Sequence, residues 1–261
     1  MWIAYVVTSE DRIVDGSFEK FLNSVTLQEE DLRIVVGLRG CSLPEKLSKK
    51  VTLSIALPLQ TSLSKARNEL IYAYPYGPND LVCFPDDDCW YPKGLLEKIE
   101  GYVSSADFIL GVIDTGQKEL PPPRDSWQSV SVKLDVALKH SASAALFVSG
   151  NKMKDFKFDQ RLGLGAKVGS AEDLDLVLFL IRESAVGFYF DDLRVFHPYK
   201  PQRDGEYFEG SIAALSKYFG KIPLARYSAF RRLIKGLLLA VAGKLPLRQV
   251  VNGFSFFRGN W

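Results

Sequence analysis

Cysteine is scarce in this 261-residue sequence, and its few copies are not arranged in pairs. The three cysteines, Cys41, Cys83 and Cys89, are odd in number and lack the short spacing that zinc sites and redox motifs use. The pattern therefore indicates neither a disulfide framework nor a zinc site, which favours a protein of the reducing cytoplasm. Cys83 and Cys89 are expected to pack as small apolar groups.

Long apolar runs and a secretory leader are also missing. No stretch reaches the roughly 18–20 apolar residues that a membrane-spanning helix needs. Residues 1–8 lack the basic segment with which a signal peptide begins, so we expect no signal peptide. The 47% hydrophobic and 12% aromatic content nevertheless suits a sizeable core and argues against disorder. The length fits one large domain, or one domain with an appendage.

Acidic residues are absent from the last part of the sequence. Residues 217–261 contain nine Lys or Arg and no Asp or Glu. Since the whole chain carries +2, removing these nine charges leaves residues 1–216 at −7. With the apolar run 237–239 and Phe254, Phe256, Phe257 and Trp261, this tail is typical of a segment that lies on an anionic membrane. A helical cap on the core or an oligomer contact is the alternative. The acidic body argues against nucleic-acid binding.

Short apolar runs alternate with segments of helical periodicity over the first two hundred residues. This alternation predicts an α/β protein with a mostly parallel, doubly wound sheet. The loop 116–127, which carries three consecutive prolines, is long enough to be functional or mobile. Strands are predicted at residues 2–8, 32–36, 51–57, 81–84, 108–112, 144–148, 187–189 and 193–196, and helices at 18–25, 63–74, 92–102, 170–183 and 207–227.

Three consecutive carboxylates, Asp86, Asp87 and Asp88, end the fourth predicted strand. Ligands of open α/β sheets bind at this carboxyl edge. Adjacent acids repel one another, so a positive partner is expected, and divalent cations prefer oxygen ligands and bridge to phosphates. His197 follows the last predicted strand and supplies an imidazole that suits the same ion. A solvated acidic turn with an Asp helix cap is the alternative.

A second pair of acids, Glu172 and Asp173, begins a predicted helix after the glycine-punctuated stretch 158–165. Acids in a first helical turn are favoured by the helix dipole, so a purely structural role stays open.

Four segments of the chain together resemble the GT-A glycosyltransferases of family 2, in that family's order. Thr8 and Ser9 end the first strand, and residues 62–68 resemble the s-x-A-R-N helix start. The acid cluster with Tyr91-Pro92 is similar to the Asp-x-Asp motif, and residues 158–176 are similar to the acceptor motif that ends in E-D-x-D-l. His197 follows at the family's usual interval, so the resemblance covers roughly residues 2–200. Val7-Thr8 replaces the usual Pro-Thr, and residues 37–39 replace a base-reading Asp.

The resemblance implies a GT-A domain at 1–205 and a C-terminal helical, basic extension at 206–261. It implies an inverting transfer from a nucleotide-sugar, taken to be a UDP-sugar, to a hydroxyl of a glycan or lipid-linked acceptor. Bacterial surface polysaccharide synthesis, such as that of O-antigen or capsule, is the expected setting, at the cytoplasmic face of the membrane and with homo-oligomers allowed. By the same resemblance, Asp173 would be the base and Glu172 would orient the acceptor. The metal ion, Mn²⁺ or Mg²⁺, would be held by Asp86, Asp88 and His197. The nucleotide-sugar would contact Thr8, Ser9, Arg39, Arg67, Asp86 and Asp87.

Two other functions are compatible with the sequence. A nucleotidyltransferase also places acids and a metal on such a sheet, but it usually has a Gly-rich loop with Lys or Arg after the first strand, unlike residues 8–11. A catalytically idle, membrane-associated assembly subunit is the other alternative, and the intact Asp88 and Asp173 argue against it.

Overall fold

A computed structural model describes residues 1–28, 31–103, 105–116, 129–199 and 204–259 of the chain. Within them lies one eight-stranded sheet of order β3-β2-β1-β4-β7-β5-β8-β6. Nearly all of the loop predicted at 116–127 lies outside the described residues. The strands are β1 (Trp2–Ser9), β2 (Leu32–Arg39), β3 (Leu53–Leu57), β4 (Leu81–Cys83), β5 (Phe108–Asp114), β6 (Val130–Ser131), β7 (Leu146–Ser149) and β8 (Gly187–Phe196).

The sheet is mostly parallel, as predicted. Strands β1 to β4 run parallel to one another, and β8 runs parallel to β5. Strand β7 lies antiparallel between β4 and β5, and the short β6 is antiparallel to β8. The carboxyl ends of β1, β2, β4, β5 and β8 therefore lie at one edge of the sheet.

Helices connect the strands and form the C-terminal part of the described chain. Each of β1, β2, β3 and β4 is followed in the chain by a helix. The helices are α1 (Glu10–Val14), α2 (Ser17–Thr26), α3 (Glu45–Ser48), α4 (Leu63–Ala73), α5 (Leu95–Val103), α6 (Leu134–His140), α7 (Gly150–Met153), α8 (Glu172–Arg182), α9 (Asp204–Ser216), α10 (Ala225–Val241) and α11 (Leu247–Phe257).

The alternating side chains of β1 fill two separate hydrophobic clusters. Ile3 and Tyr5 belong to one cluster, and Trp2 and Ala4 belong to the other, so the strand is buried on both faces. This follows from the period of two along a strand and from helices covering both faces of a parallel sheet. It explains why the first predicted strand reads as an unbroken apolar run.

The structure corrects three element boundaries. Residues 187–196 form the single strand β8, where two strands were predicted; its pairing with β5 shifts beside Gly111, where a Cβ would lie 2.4 Å from the Leu193 carbonyl oxygen. Residues 143–145 are a 3₁₀ helix and not the start of β7. The predicted helix 207–227 is broken between α9 and α10, since Gly220 takes a φ of 75° and Pro223 lacks an amide proton.

The last three helices pack against the α/β body. Ile212, Ala229 and Leu233 belong to the same hydrophobic cluster as Ile3 and Tyr5 of β1. Among the helices of the described residues, none combines the length and hydropathy needed to cross a bilayer. The division at residue 205 stays a prediction.

Candidate active site

The carboxyl ends of β4 and β8 bring the acid cluster and His197 together, as the sequence analysis expected. His197 Nε2 lies 3.0 Å from Asp88 Oδ1 and 3.3 Å from Asp86 Oδ2. Trp90 fixes this approach, because its backbone exchanges two hydrogen bonds with that of Phe196, of 2.9 and 3.1 Å. The Trp90 and Phe196 rings also stack, with 5.5 Å between their centroids. His197 is therefore held at the edge of the sheet by the pairing of Phe196, the residue before it, with Trp90, which follows the acid cluster.

Arg12 is a positive partner of the acid cluster that the sequence analysis did not identify. It lies on α1, one turn beyond the end of β1. Its Nη2 is 2.9 Å from Asp88 Oδ2, and its Nε is 3.8 Å from Asp87 Oδ1. The available signal was its position just after a strand that ends at the same edge of the sheet. Arg12 and His197 together supply the expected compensating charge.

The crowding of these groups shifts their pKa values. Burial, reinforced by the charge of Asp88, raises the pKa of Asp87 to about 6. Burial opposes protonation of His197, but hydrogen bonds to Asp86 and Asp88 outweigh it and raise the pKa of the imidazole to about 9. Burial likewise acts to raise the pKa of Asp86, yet His197 and Arg67 hold it below its ordinary value. The carboxylates of the cluster thus repel one another, and a bound positive charge would relieve that repulsion.

The donor atoms of this cluster fit a divalent cation. One ligand atom each from Asp86, Asp88 and His197 lie within 4.8 Å of one another. Two carboxylates and an imidazole suit Mn²⁺ or Mg²⁺, because both ions accept oxygen ligands and Mn²⁺ also accepts nitrogen. The three acids outnumber Arg12, so the metal-free cluster retains negative charge when His197 is neutral.

Asp173 and Glu172 lie in the first turn of α8, around the buried Arg67. Arg67 Nη1 is 2.9 Å from Asp173 Oδ1 and 3.8 Å from Glu172 Oε1. The second oxygen of Asp173 accepts a 3.0 Å hydrogen bond from the backbone N–H of Ser143, whose hydroxyl oxygen lies 2.8 Å from Arg67 Nη2. Arg67 is 1% exposed and therefore needs these partners. The predicted contact of Arg67 with the nucleotide-sugar stays a prediction.

Arg67 also connects the two groups of acids. Its Nη2 lies 3.5 Å from the Phe84 carbonyl oxygen, just before the acid cluster. Its charge helps to lower the pKa of Asp86, while Asp173 and Glu172 help to raise the pKa of Arg67 against the effect of burial. One buried guanidinium thus faces both the strand end that carries the cluster and the helix start that carries the predicted base.

Glu172 is enclosed more tightly than its neighbour Asp173. The side chain of Glu172 is 10% exposed and that of Asp173 is 24% exposed. Burial and the adjacent Asp173 charge raise the pKa of Glu172 above its usual range. Gly163 makes this fit possible, because a Cβ there would lie 3.1 Å from Glu172 Cδ and 3.0 Å from Ser64 Oγ. Gly163 also has a φ of 99°, which favours glycine.

The remaining predicted donor residues line up along the ends of β1 and β2. Thr8 is fully buried and Ser9 partly buried at the end of β1, and Arg39 ends β2. Beyond the same ends opens a cleft of about 580 Å³, lined by Glu10, Ile13, Val14, Leu38, Gly40, Cys41, Ser42, Ala56 and Leu57. The predicted nucleotide contacts of Thr8, Ser9 and Arg39 stay predictions.

Comparison with known proteins identifies the fold. No protein-family model matches the chain, and no curated protein matches its sequence. Among solved structures, TarS residues 1–349 of S. aureus bound to UDP-GlcNAc superimposes with a TM-score of 0.63 at 16% identity, over 85% of this chain and 67% of that one. A longer TarS structure gives 0.64 at 17% identity, over 85% of this chain and 40% of that one. GalNAc-T7 with UDP, GalNAc and Mn²⁺ gives 0.58 at 10% identity, over 82% and 47%.

The chain has the GT-A fold. The structural neighbours are glycosyltransferases of this type, and the fold predicted from the sequence is confirmed. This chain spans between 40% and 67% of the length of the neighbours described above. Membership of family 2 stays a prediction.

Proposed function

We propose that this protein is a metal-dependent, inverting glycosyltransferase that uses a nucleotide-sugar, most simply a UDP-sugar. The observation that carries the proposal is the arrangement of two acid groups around Arg67 at one edge of a GT-A sheet. One group, with His197, fits a divalent cation. The other begins α8 and offers Asp173 and Glu172 within reach of the same edge. The similar structures contain UDP-GlcNAc, or UDP, GalNAc and Mn²⁺.

Each acid group has a separate chemical task in this proposal. Asp86, Asp88 and His197 would hold Mn²⁺ or Mg²⁺, and the ion would supply Lewis-acid stabilisation of the negative charge on the departing diphosphate. Asp173 takes the proton of the attacking acceptor hydroxyl, and Glu172 orients that hydroxyl. Because an inverting displacement needs one base and no carboxylate nucleophile, the two acids of α8 suffice. Hydrogen bonds from Ser143 N–H and Arg67 fix the direction of the Asp173 carboxylate.

The test is release of nucleotide from a panel of nucleotide-sugars, including UDP-GlcNAc, with Mn²⁺ or with excess chelator. We expect one donor to release its nucleoside diphosphate in a metal-dependent manner. A nucleotidyltransferase would instead form a nucleotide-sugar from a nucleoside triphosphate and a sugar phosphate, and this reaction is run in parallel. If neither reaction occurs with any donor, the protein is an assembly subunit and the proposal fails.

The setting proposed for this transfer is a lipid-linked or glycan acceptor of bacterial surface polysaccharide, reached from the cytoplasmic membrane face. The structure of α10 supports membrane contact. One face of α10 is buried against the protein and consists of Ala225, Ala229, Leu233 and Gly236. The solvent side carries a second apolar row, three or four residues apart, which we call the outer stripe: Tyr227, Phe230, Ile234, Leu238 and Val241.

Charge points to an anionic bilayer as the occupant of the outer stripe. Arg226, Arg231 and Lys235 are exposed on α10 among the stripe residues, and the segment contains no acid. Each cation near such a surface contributes on the order of 1 kcal/mol, and apolar burial adds roughly 25 cal/mol per Å². The attraction is therefore partly screened by salt and partly hydrophobic.

Co-sedimentation with vesicles tests the outer stripe. Full-length protein is expected to bind vesicles that contain anionic lipid, more weakly at 1 M salt, and to bind neutral vesicles poorly. Leu238→Ser with Val241→Ser should reduce binding several-fold, whereas the control Val186→Ser, at an exposed valine outside the C-terminal helices, should not. Equal binding by both variants, or no binding to anionic vesicles, would make the stripe a contact between protein copies.

A further inference from the structure

Lys217, just beyond the end of α9, reaches the acceptor side of the site. Its Nζ lies 2.5 Å from Asp175 Oδ2 and 3.1 Å from Asp159 Oδ2. Asp175 is on α8, and Asp159 is the second residue of the glycine-punctuated loop 158–165. One ammonium from the C-terminal helices therefore joins two carboxylates from two different parts of the body.

Asp175 is close in the chain to the predicted base and is held in place by several groups. It is 1% exposed and lies two residues beyond Asp173 on the same helix. The hydroxyl oxygen of Tyr218 lies 3.0 Å from its Oδ1 and 3.1 Å from its carbonyl oxygen. Burial raises the pKa of Asp175, and the hydrogen bonds and charge of Lys217 oppose that shift. The neighbours of Asp175 are thus arranged to keep a buried carboxylate charged at a fixed position.

Asp159 transmits the same constraint to the loop 158–165. Arg161 holds its carboxylate through two side-chain contacts of 2.9 and 2.7 Å. One residue earlier, the Phe158 backbone makes hydrogen bonds of 2.9 and 3.0 Å with the side chain of Asn68 on α4. Further along the loop, Gly163 lies close against Glu172 because it has no side chain. A displacement of Asp159 would therefore move the loop that encloses Glu172.

Without Lys217 the two carboxylates would face each other with less compensation. The charge of Asp159 already acts to raise the pKa of Asp175, so the pair is mutually repulsive. The repulsion between Asp159 and Asp175 would push the loop away from α8, or one of the two carboxylates would take up a proton. Either response changes the spacing between Glu172 on the helix and Gly163 on the loop.

We propose that Lys217 is a positioning residue of the acceptor side. By holding Asp175 and Asp159 together, it keeps Asp173 and Glu172 in the geometry that proton transfer from an attacking hydroxyl requires. This inference rests on the proposed function. A misplacement of reacting groups by about 1 Å can reduce a rate by roughly 10²-fold, so losing the contacts of Lys217 should lower turnover even if the acids move only slightly.

The test compares Lys217→Met and Lys217→Arg with the control Lys221→Met, an exposed lysine four residues further on. The measured reaction is UDP release from UDP-GlcNAc in Mn²⁺, where water is the attacking hydroxyl. Lys217→Met should lower kcat by about 10-fold to 10²-fold with KM for UDP-GlcNAc within two-fold. Lys217→Arg should restore most of kcat, and Lys221→Met should match wild type. Calorimetric titration of UDP with Mn²⁺ should give the same affinity in all four proteins.

The outcomes distinguish this inference from the proposed function. If wild type releases no nucleotide from UDP-GlcNAc or the wider donor panel, the proposed function fails and the inference falls with it. If wild type is active and Lys217→Met keeps its kcat, the inference alone is wrong. If Lys217→Met loses UDP affinity in proportion to kcat, the role is general stabilisation. If Lys217→Arg has the unfolding temperature of wild type but does not recover kcat, a cation that joins the two carboxylates is not sufficient and the inference is wrong.

Discussion

The two groups of acids at the edge of the sheet differ in how their charge is balanced. In the acid cluster, three consecutive carboxylates face one guanidinium, that of Arg12, and an imidazole. On α8, Glu172 and Asp173 share the buried Arg67, and Asp175 has Lys217. The cluster keeps a surplus of negative charge that an external cation can neutralise, whereas the α8 acids are held by cations that the chain itself provides. A surplus of negative charge favours binding of a metal ion, whereas carboxylates that are neutralised by cations of the chain itself are held in a fixed orientation.

The largest effect should come from reducing the surplus in the acid cluster. Asp88→Asn removes a metal ligand and one of the three negative charges, so metal-dependent UDP binding should fall below detection. The unfolding temperature should change little, because Arg12 and His197 keep Asp87 and Asp86 as partners. Calorimetric titration of UDP with and without Mn²⁺ measures this, with Asp135→Asn, at an exposed acid, as the control. Unchanged affinity in Mn²⁺ would remove Asp88 from the metal site.

The second-largest effect should come from the acids on α8, whose charge is balanced by Arg67 and Lys217, and donor binding should not change. Asp173→Asn should lower UDP release by about 10²–10⁴-fold, as is typical for loss of a general base. UDP affinity in Mn²⁺ should stay near that of wild type. Because Arg67 is buried and loses a charged partner, the unfolding temperature should also fall, though Glu172 and Ser143 limit the loss.

A comparison with Glu172→Gln decides which acid is the base. Burial raises the pKa of Glu172, so the neutral amide resembles its protonated form and should cost little stability. If Glu172 only orients the acceptor, Glu172→Gln should reduce UDP release less than Asp173→Asn does. A larger loss in Glu172→Gln would move the base to Glu172.

Contiguous residues explain why the acid cluster could be predicted from the sequence. Asp86 to Asp88 end an apolar strand, and the order of strands and helices implies that such an end lies at the ligand edge of a sheet. The fold was predictable for the same reason, since alternating periodicity is a local property. His197 was also predictable, because it follows a strand that ends at that edge.

Packing between distant segments explains what the sequence did not reveal. Arg67 and Asp173 are 106 positions apart, and Lys217 and Asp175 are 42 apart. Their pairing depends on how α4 and α9 lie against α8, which no periodicity encodes. The break at Gly220 and Pro223 had a visible signal, but the apolar positions within residues 212–219 suggested a helix that continued to residue 227. Lys217 was assigned to the basic tail because residues 217–261 contain nine cations and no acid, and its contact with Asp175 was not predicted.

The smallest effect should appear as a change in how stability depends on pH. Burial acts to raise the pKa of Asp159, but the hydrogen bonds from Arg161 and the charge of Lys217 outweigh it and hold the pKa well below its usual range. A carboxylate with a lowered pKa in the folded state stabilises the protein fully above its unfolded value, near 3.9. That stabilisation is lost as the pH falls from there towards the folded value.

Asp159→Asn should therefore reduce the free energy of unfolding by about 1.5–3 kcal/mol at pH 7, the range for hydrogen bonds to charged groups. The difference from wild type should narrow at pH 3, because the unfolded carboxyl of wild type is then mostly protonated while the folded one is still charged, so that part of the advantage of the lowered pKa is lost. Urea unfolding of both proteins at the two pH values measures the difference. An equal difference at pH 7 and pH 3 would mean that Asp159 contributes through packing alone, and that the charge link from Lys217 to the loop 158–165 carries no free energy.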